Sequence, residues 1–295
     1  MKTIIKNEIL NKTFEERGYV SFPLFSPQEV QEIKKFYATI KGDHTSANSF
    51  FHTTLNTSNE HLIRRVNGFL RPYFQKNLAT YLEGFELTIA GFLAKDSGPK
   101  TMVNMHQDWT YVDEQKFQAF NLWVCLDDTN RRNGCMQFVP YSHRFVDTLR
   151  VSPDIPGYFD SFKKEILPYL VDVPTKAGEC VIFHQAILHA SRKNISGKQR
   201  TACISCAYPS AAKLLHYFSP DPPSAGKLEK YEINLESLIQ LKKDSRPDPG
   251  RLIENLDYNP PKVNLEDFKE YFGQRISVFS RVKFFFINSV LGKIL

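Results

Sequence analysis

The chain has 295 residues, 42% hydrophobic and 24% charged, with 24 Phe and 13 Tyr, enough apolar material for one large globular core or two small ones. The formal net charge of +6 comes from scattered Lys and Arg; it favours an anionic substrate without demanding one, and no nucleic-acid-binding module is legible. Five cysteines show no framework spacing, the polar start Met1-Lys2-Thr3-Ile4-Ile5-Lys6-Asn7-Glu8 lacks an apolar leader, and no stretch is long and apolar enough to span a bilayer, so a reducing, cytoplasmic setting is expected.

Residues 13–25 read as a short helix ended by Gly18 and then a strand. Ser26-Pro27-Gln28-Glu29 has the cap, the first-turn proline and the reciprocal acid of a helix start, and Val30, Ile33, Phe36 and Tyr37 continue it at helical spacing. Residues 42–59 read as a polar loop with His44 and His52 in solvent. A helix from near Asn59 buries Leu62, Val66 and Phe69 and is expected to break at Pro72, with another short helix reaching Tyr81. From residue 85 the pattern becomes strand-like: 85–93 alternates, 104–109 is extended, and 117–126 is apolar enough to be buried on both faces. A polar turn over 127–134 precedes a strand at 135–139 and the turn Pro140-Tyr141-Ser142-His143; an insert occupies 145–172. Further strands are expected near 171–173, after Gly178 and over 200–208. Many short strands with few helices among them point to a barrel or sandwich.

Residues 216–262, rich in Pro, Lys and Asp, read as an irregular appendage with one helical stretch at 235–241. The end, 276–295, is an apolar helix bearing Arg281, Lys283 and Lys293 and no acid. Packing on the domain is one reading, and a basic amphipathic helix on a membrane surface the sharper one. The whole reads as one domain over 1–295: an N-terminal strand and helices (1–84), a core (85–210) and a C-terminal appendage (211–295).

The chemistry-bearing pattern begins at His106-Gln107-Asp108. Residues two apart on a strand share a face, so an imidazole and a carboxylate stand side by side with Gln107 turned away. Two histidines and one carboxylate with open positions are the ligands of non-haem Fe(II) oxygenases. An H-x-D alone is common, and it gains weight only from the motifs downstream of it. Cys203 and Cys206, three apart on a strand, face opposite ways and read as isolated thiols.

The order His106-Gln107-Asp108, Asn121-Leu122-Trp123, Asn133-Gly134-Cys135-Met136-Gln137-Phe138-Val139-Pro140-Tyr141-Ser142-His143-Arg144, Gly178 to His184, His189-Ala190-Ser191, Asn194 and Arg200 resembles the phytanoyl-CoA dioxygenase family of Fe(II)/2-oxoglutarate oxygenases over roughly residues 13–210. Tyr141 departs from the glycine usual there. The resemblance implies a mainly β fold with flanking helices, a double-stranded β-helix (jelly roll, cupin-like). It implies His106, Asp108 and His189 as iron ligands, Arg200 on the distal carboxylate of 2-oxoglutarate with Ser191 assisting, and Asn121 and Trp123 as further co-substrate contacts. It selects His189 over His184, five residues earlier, by the spacing to Ser191 and Arg200; the two would face opposite ways on one regular strand. His143 is expected to tie down its own turn.

The implied activity is hydroxylation of an unactivated C–H bond using Fe(II), 2-oxoglutarate and O2. In related halogenases a small residue stands in place of the carboxylate, so Asp108 favours hydroxylation, with desaturation or cyclisation open on the same scaffold. A zinc hydrolase and an inactive binding scaffold are the competing classes, and Arg200 counts against both. Trp109 and Tyr111 are expected to line a pocket, with parts of the 42–59 loop, for a small-molecule substrate of anionic or amphiphilic kind.

Overall fold

Helix α1 (Glu8–Arg17) starts five residues earlier than the pattern suggested, because the Asn7 side chain accepts from the Leu10 amide. It ends where Gly18 turns left-handed at φ 83°. This computed structural model describes residues 5–43, 50–55, 57–155, 157–220, 226–242 and 244–279, with the side chains of 274–279 excepted. His44 and the apolar basic stretch beyond 279 lie outside the described residues.

Strand β1 (Tyr19–Pro23) leads to α2 (Pro27–Ile40), which carries the expected capping box between Ser26 and Glu29. The 42–59 segment is not all loop: β2 (Phe51–Thr53) pairs with a later strand. His52 on it is buried rather than solvated, its Nε2 2.9 Å from Asp96 Oδ2. Helix α3 (Glu60–Leu78) runs straight through Pro72. Pro72 sits on the exposed side above exposed Gly68, so the carbonyl it strands can reach water. Leu62, Val66, Leu70, Phe74 and Leu78 form one buried stripe across it. Burying Phe74 and Leu78 returns about 1.5–3 kcal/mol each, against roughly 3 kcal/mol for a mid-helix proline.

The later strands are β3 (Phe85–Leu87), β4 (Gly91–Lys95), β5 (Val103–His106), β6 (Phe120–Cys125), β7 (Met136–Phe138), β8 (Val171–Val173), β9 (Glu179–His184), β10 (His189–Ser191) and β11 (Arg200–Pro209). They form a seven-stranded sheet in the order β1-β9-β6-β11-β4-β2, with β3 also on β11, and a four-stranded sheet β5-β10-β7-β8. Every named pairing is antiparallel. This is the jelly-roll core the sequence pointed to, with β1 and β2 from the N-terminal section built into its larger sheet.

Strand parity explains why β6 is buried throughout. Leu122 and Val124 face a core shared with Phe14, Ile33, Leu70 and Phe74 of the three helices. Trp123 and Cys125 face the space between the sheets, with Phe138, Phe183 and Ile187.

The C-terminal region is more regular than its composition suggested. Strands β12 (Leu214–Phe218), β13 (Lys227–Ile233) and β14 (Arg251–Asp257) form a third antiparallel sheet, and α5 (Leu235–Gln240) comes directly after β13. Alternating Tyr231 and Ile233 pack with Leu214, Phe218 and Leu238 over Ile63 and Ile89. The charges of Lys230 and Glu232, which made the stretch read as irregular, pair with Glu254 and with Lys213 and Arg251. In the insert, α4 (Lys163–Ile166) is a single turn. Phe268 and Phe272 of α6 (Leu265–Phe279) pack on Phe159, Phe162 and Ile166 of that insert. No helix among the described residues is long and apolar enough to cross a membrane.

Candidate active site

His106 is the last residue of β5, Asp108 lies just beyond it, and His189 opens β10, directly opposite His106 in the strand register. Single ligand atoms of the three lie within 4.8 Å of one another. Asp108 Oδ1 is 3.6 Å from His106 Nε2, and Asp108 Oδ2 is 3.5 Å from His189 Nε2. Each imidazole has its Nδ1 within hydrogen-bond distance of the carbonyl two residues before it, Asn104 at 2.8 Å and Ile187 at 3.0 Å. Donation there fixes the tautomer and leaves both Nε2 lone pairs facing Asp108. Burial, reinforced by His106, lowers the His189 pKa to about 4, so this ring is neutral at physiological pH, as a metal ligand must be.

Neighbouring residues hold this arrangement. Gln107, expected to turn away, lines the same cavity as His106 and Asp108 and donates to Ala186 O at 2.6 Å, and the Asp108 amide donates to Gln185 O at 3.0 Å. The residue between two ligands thus pins the turn that delivers the third. Asn121 Nδ2 donates to Asp108 Oδ2 at 2.6 Å. It therefore orients the Asp108 carboxylate. Arg150 comes from the insert; its Nε donates to Asp108 O at 3.0 Å and its Nη1 to Glu114 Oε2 at 2.6 Å.

His184 ends β9 in the large sheet, whereas His189 begins β10 in the small one. Parity along one strand does not govern them, because the chain turns between sheets after His184. His184 lies beside His143, ring centroids 5.2 Å apart, and His143 Nε2 reaches Glu15 O at 3.1 Å, tying its turn to the end of α1. Tyr141 takes up the left-handed conformation at φ 71° in that turn. All five cysteines are buried free thiols.

Arg200 opens β11 and is fully buried, with Trp123 under its guanidinium at 5.1 Å. Among the described residues its guanidinium makes one hydrogen bond, from Nη2 to Gly134 O at 3.3 Å, and Nε and Nη1 are buried without a partner. Beside it in the register stands Lys95 of β4, a residue no motif marked, with 0% exposure. Lys95 Nζ donates to Arg192 O at 2.8 Å and to the Ser191 hydroxyl. Ser191 therefore serves Lys95, where Arg200 was expected. Burial, and then the Arg200 charge, hold the Lys95 pKa down at about 7; burial lowers that of Arg200 to about 10. Two adjacent buried cations, one with two idle donors, describe a pocket short of a carboxylate.

Gly134 roofs this pocket at φ +87°. A Cβ there would stand 2.9 Å from Arg192 O and 3.0 Å from Lys95 Cδ. That is the physical content of the Asn-Gly pair in the sequence.

A cavity of about 810 Å³ opens from the triad. Trp109 and Tyr111 line it as expected, with Leu55, Thr57 and Ser58 of the 42–59 segment. The insert supplies another wall, and α5 with the residues after it a third. Trp109 Nε1 donates to Asp154 of the insert at 3.2 Å.

A jelly roll with a His-x-Asp…His cluster between its sheets and a buried cationic pocket beside it defines a class, the metal-site β-helix proteins. The family model described as "Phytanoyl-CoA dioxygenase (PhyH)" matches residues 14–202, and the chain belongs to that family. Among curated relatives, "Phytanoyl-CoA dioxygenase domain-containing protein 1" of Danio rerio is 29% identical over 116 residues, covering 37% of this chain and 40% of that protein. "Phytanoyl-CoA dioxygenase, peroxisomal" of Bos taurus is 27% identical over 147 residues, 48% and 43% of the two chains. The chain thus spans about 40% of the length of the curated relatives it matches. Of solved structures, the epimerase SnoN, in complex with Fe3+, alpha ketoglutarate and nogalamycin RO, superposes with TM-score 0.54 at 21% identity, covering 70% of this chain and 85% of that one. EvdO2 from Micromonospora carbonacea var. aurantiaca gives 0.53 at 16%, covering 76% and 98%. At these identities the likeness is one of fold.

Proposed function

We propose that the chain is an Fe(II)/2-oxoglutarate-dependent oxygenase that hydroxylates an unactivated C–H bond of a small-molecule or lipid-like substrate held in the 810 Å³ cavity. The observation that carries the reading is the pairing of two sites: the convergent His106, Asp108 and His189, and the anion-deficient Lys95 and Arg200. A zinc hydrolase has use for the first and none for the second.

On this reading His106 Nε2, His189 Nε2 and an Asp108 oxygen hold Fe(II), and nitrogen and oxygen donors without a thiolate suit it. The chemistry supplied by bound iron with 2-oxoglutarate and O2 is oxidative decarboxylation to succinate and CO2, coupled to hydroxylation of the substrate. The chain's own residues do the positioning. Arg200 Nε and Nη1, with the Lys95 ammonium, bind the distal carboxylate of 2-oxoglutarate, and Trp123 fixes the guanidinium plane from below. Asn121 sets the orientation of Asp108, and Gln107 sets the His189 turn. Trp109 and Tyr111 meet the substrate beside the ligands, and the walls around them keep water from the reacting carbon.

The test is an anaerobic titration of the metal-free protein with Fe(II) and then 2-oxoglutarate, followed in the visible. A weak charge-transfer band that needs both, and is absent in His189→Ala and Arg200→Ala, supports the reading. Tight zinc binding with no such band sinks it.

A further inference from the structure

We infer that the substrate is an electrically neutral molecule with a predominantly apolar body, although the chain as a whole carries +6. The inference deepens the oxygenase reading and rests on it. Its basis is the distribution of charge around the cavity. Three cationic side chains line it, Arg150, Lys163 and Lys242, against three carboxylates, Glu60, Asp154 and Asp160, with Asp108 assigned to iron on that reading. The lining does not share the chain's positive excess.

The cations are also engaged or remote. Arg150 is buried and fully used, with Glu114, Thr148 O and Asp108 O as its acceptors. Lys163 Nζ lies 3.9 Å from Asp160 and 5.3 Å over the Phe159 ring. Lys242 is exposed, so it belongs to the mouth. An anionic group carried inward would lose its water and find no free cation on the inner wall, a cost of several kcal/mol that nothing there repays.

Of the neutral polar groups on the wall, the Thr148 and Tyr158 hydroxyls are buried without a partner, and several others are occupied. Asn121 serves Asp108, Gln107 serves Ala186 O, Gln240 serves Glu236, and the Trp109 indole serves Asp154. The surface left for a ligand is mainly hydrocarbon, with Ile89, Val151, Ile155, Ile204, Leu238 and Ile239, and its free buried polar groups are uncharged hydroxyls, which suit a neutral ligand. An apolar wall with few free polar groups selects by shape and area.

The experiment compares neutral and anionic ligands of one frame: decan-1-ol against decanoate, and 1-adamantanemethanol against 1-adamantanecarboxylate. Binding to the full chain is read from Trp109 fluorescence, anaerobically, with and without Fe(II) and 2-oxoglutarate, and Trp109→Phe isolates the signal from the second tryptophan, Trp123. The expected result is an alcohol about tenfold or more tighter than its carboxylate in at least one frame, with affinity that does not weaken when NaCl is raised from about 50 to about 500 mM. A carboxylate that binds as well as its alcohol, or binding that falls with salt, overturns the inference, as does failure of both alcohols to bind at millimolar concentration. The charge-transfer titration is scored separately. A band with carboxylates preferred removes only the neutral-substrate inference, whereas loss of the band removes the oxygenase reading under it.

Discussion

Replacing Lys95 by Met separates the cost of a buried cation from its use. The Lys95 pKa stands at about 7, against 10.5 for a free lysine, chiefly through burial. Each pKa unit corresponds to about 1.4 kcal/mol, so at pH values below 7 the fold carries a penalty of about 5 kcal/mol for enclosing the ammonium. A lysine whose folded pKa lies below its unfolded value exacts its full penalty below the folded pKa, and the penalty fades as pH rises from about 7 towards 10.5. Methionine removes the charge and leaves Ser191 Oγ and Arg192 O without their donor, a loss of about 1 kcal/mol each. Lys95→Met without co-substrate is therefore expected to be more stable than the parent by roughly 3 kcal/mol at about pH 6.5. With about 2–4 °C of Tm per kcal/mol, that is a rise of roughly 6–12 °C. The gap should narrow by about 2 kcal/mol between about pH 7 and 8.5. The same variant loses one charge-assisted contact to 2-oxoglutarate, about 1.5–3 kcal/mol, and should bind it on the order of 10- to 100-fold more weakly. Thermal melts from about pH 6 to 9 and calorimetric titration with 2-oxoglutarate measure both. A lower Tm at pH 6.5, a gap that ignores pH, or undiminished 2-oxoglutarate affinity refutes the assignment of Lys95 as an anion-seeking cation.

Three further outcomes are expected. Asn121→Ala should keep the fold but bind Fe(II) about 10- to 100-fold more weakly in an equilibrium competition with a chelator, because Asp108 loses its 2.6 Å donor; unchanged affinity would make Asn121 a packing residue. Glu114→Gln leaves the Arg150 guanidinium, 8% exposed, with an uncompensated charge and should cost about 3 kcal/mol in urea denaturation; a loss under 1 kcal/mol contradicts the buried pair. Gly134→Ala meets both a left-handed φ and a carbonyl 2.9 Å away, so it should lower stability by about 1–3 kcal/mol and weaken 2-oxoglutarate binding, whereas an unaltered Tm would show that the turn relaxes freely.

The elements were legible wherever the signal was local. The Ser26 cap, the Gly18 stop and the nearly continuous apolar run of β6, interrupted only by Asn121, all stand as their residues suggested, because caps and face alternation depend on neighbours within a few positions. Pro72 misled because its local cost is outweighed by a buried stripe that only the finished core defines. The three-stranded C-terminal sheet was hidden by charges that pair across strands rather than along one.

The sequence by itself determined the order and identity of the chemical groups. His106, Asp108, His189, Arg200 and Ser191 carry their chemistry in their side chains, and it was the family resemblance of the motifs around them that joined them into one site. Only the tertiary structure decided what stands around them. Lys95 is an ordinary lysine until the register of β4 on β11 sets it beside Arg200, 105 residues away, and burial depresses its pKa. Arg150 and Glu114 likewise become a brace for Asp108 only once the insert folds over the strand end. The cavity is walled by segments far apart in the chain, from Leu55 to Pro260, so its charge balance departs from that of the whole molecule. Local pattern reports which groups a chain owns; their protonation, partners and enclosure arise from contacts across long loops, which no window of sequence contains.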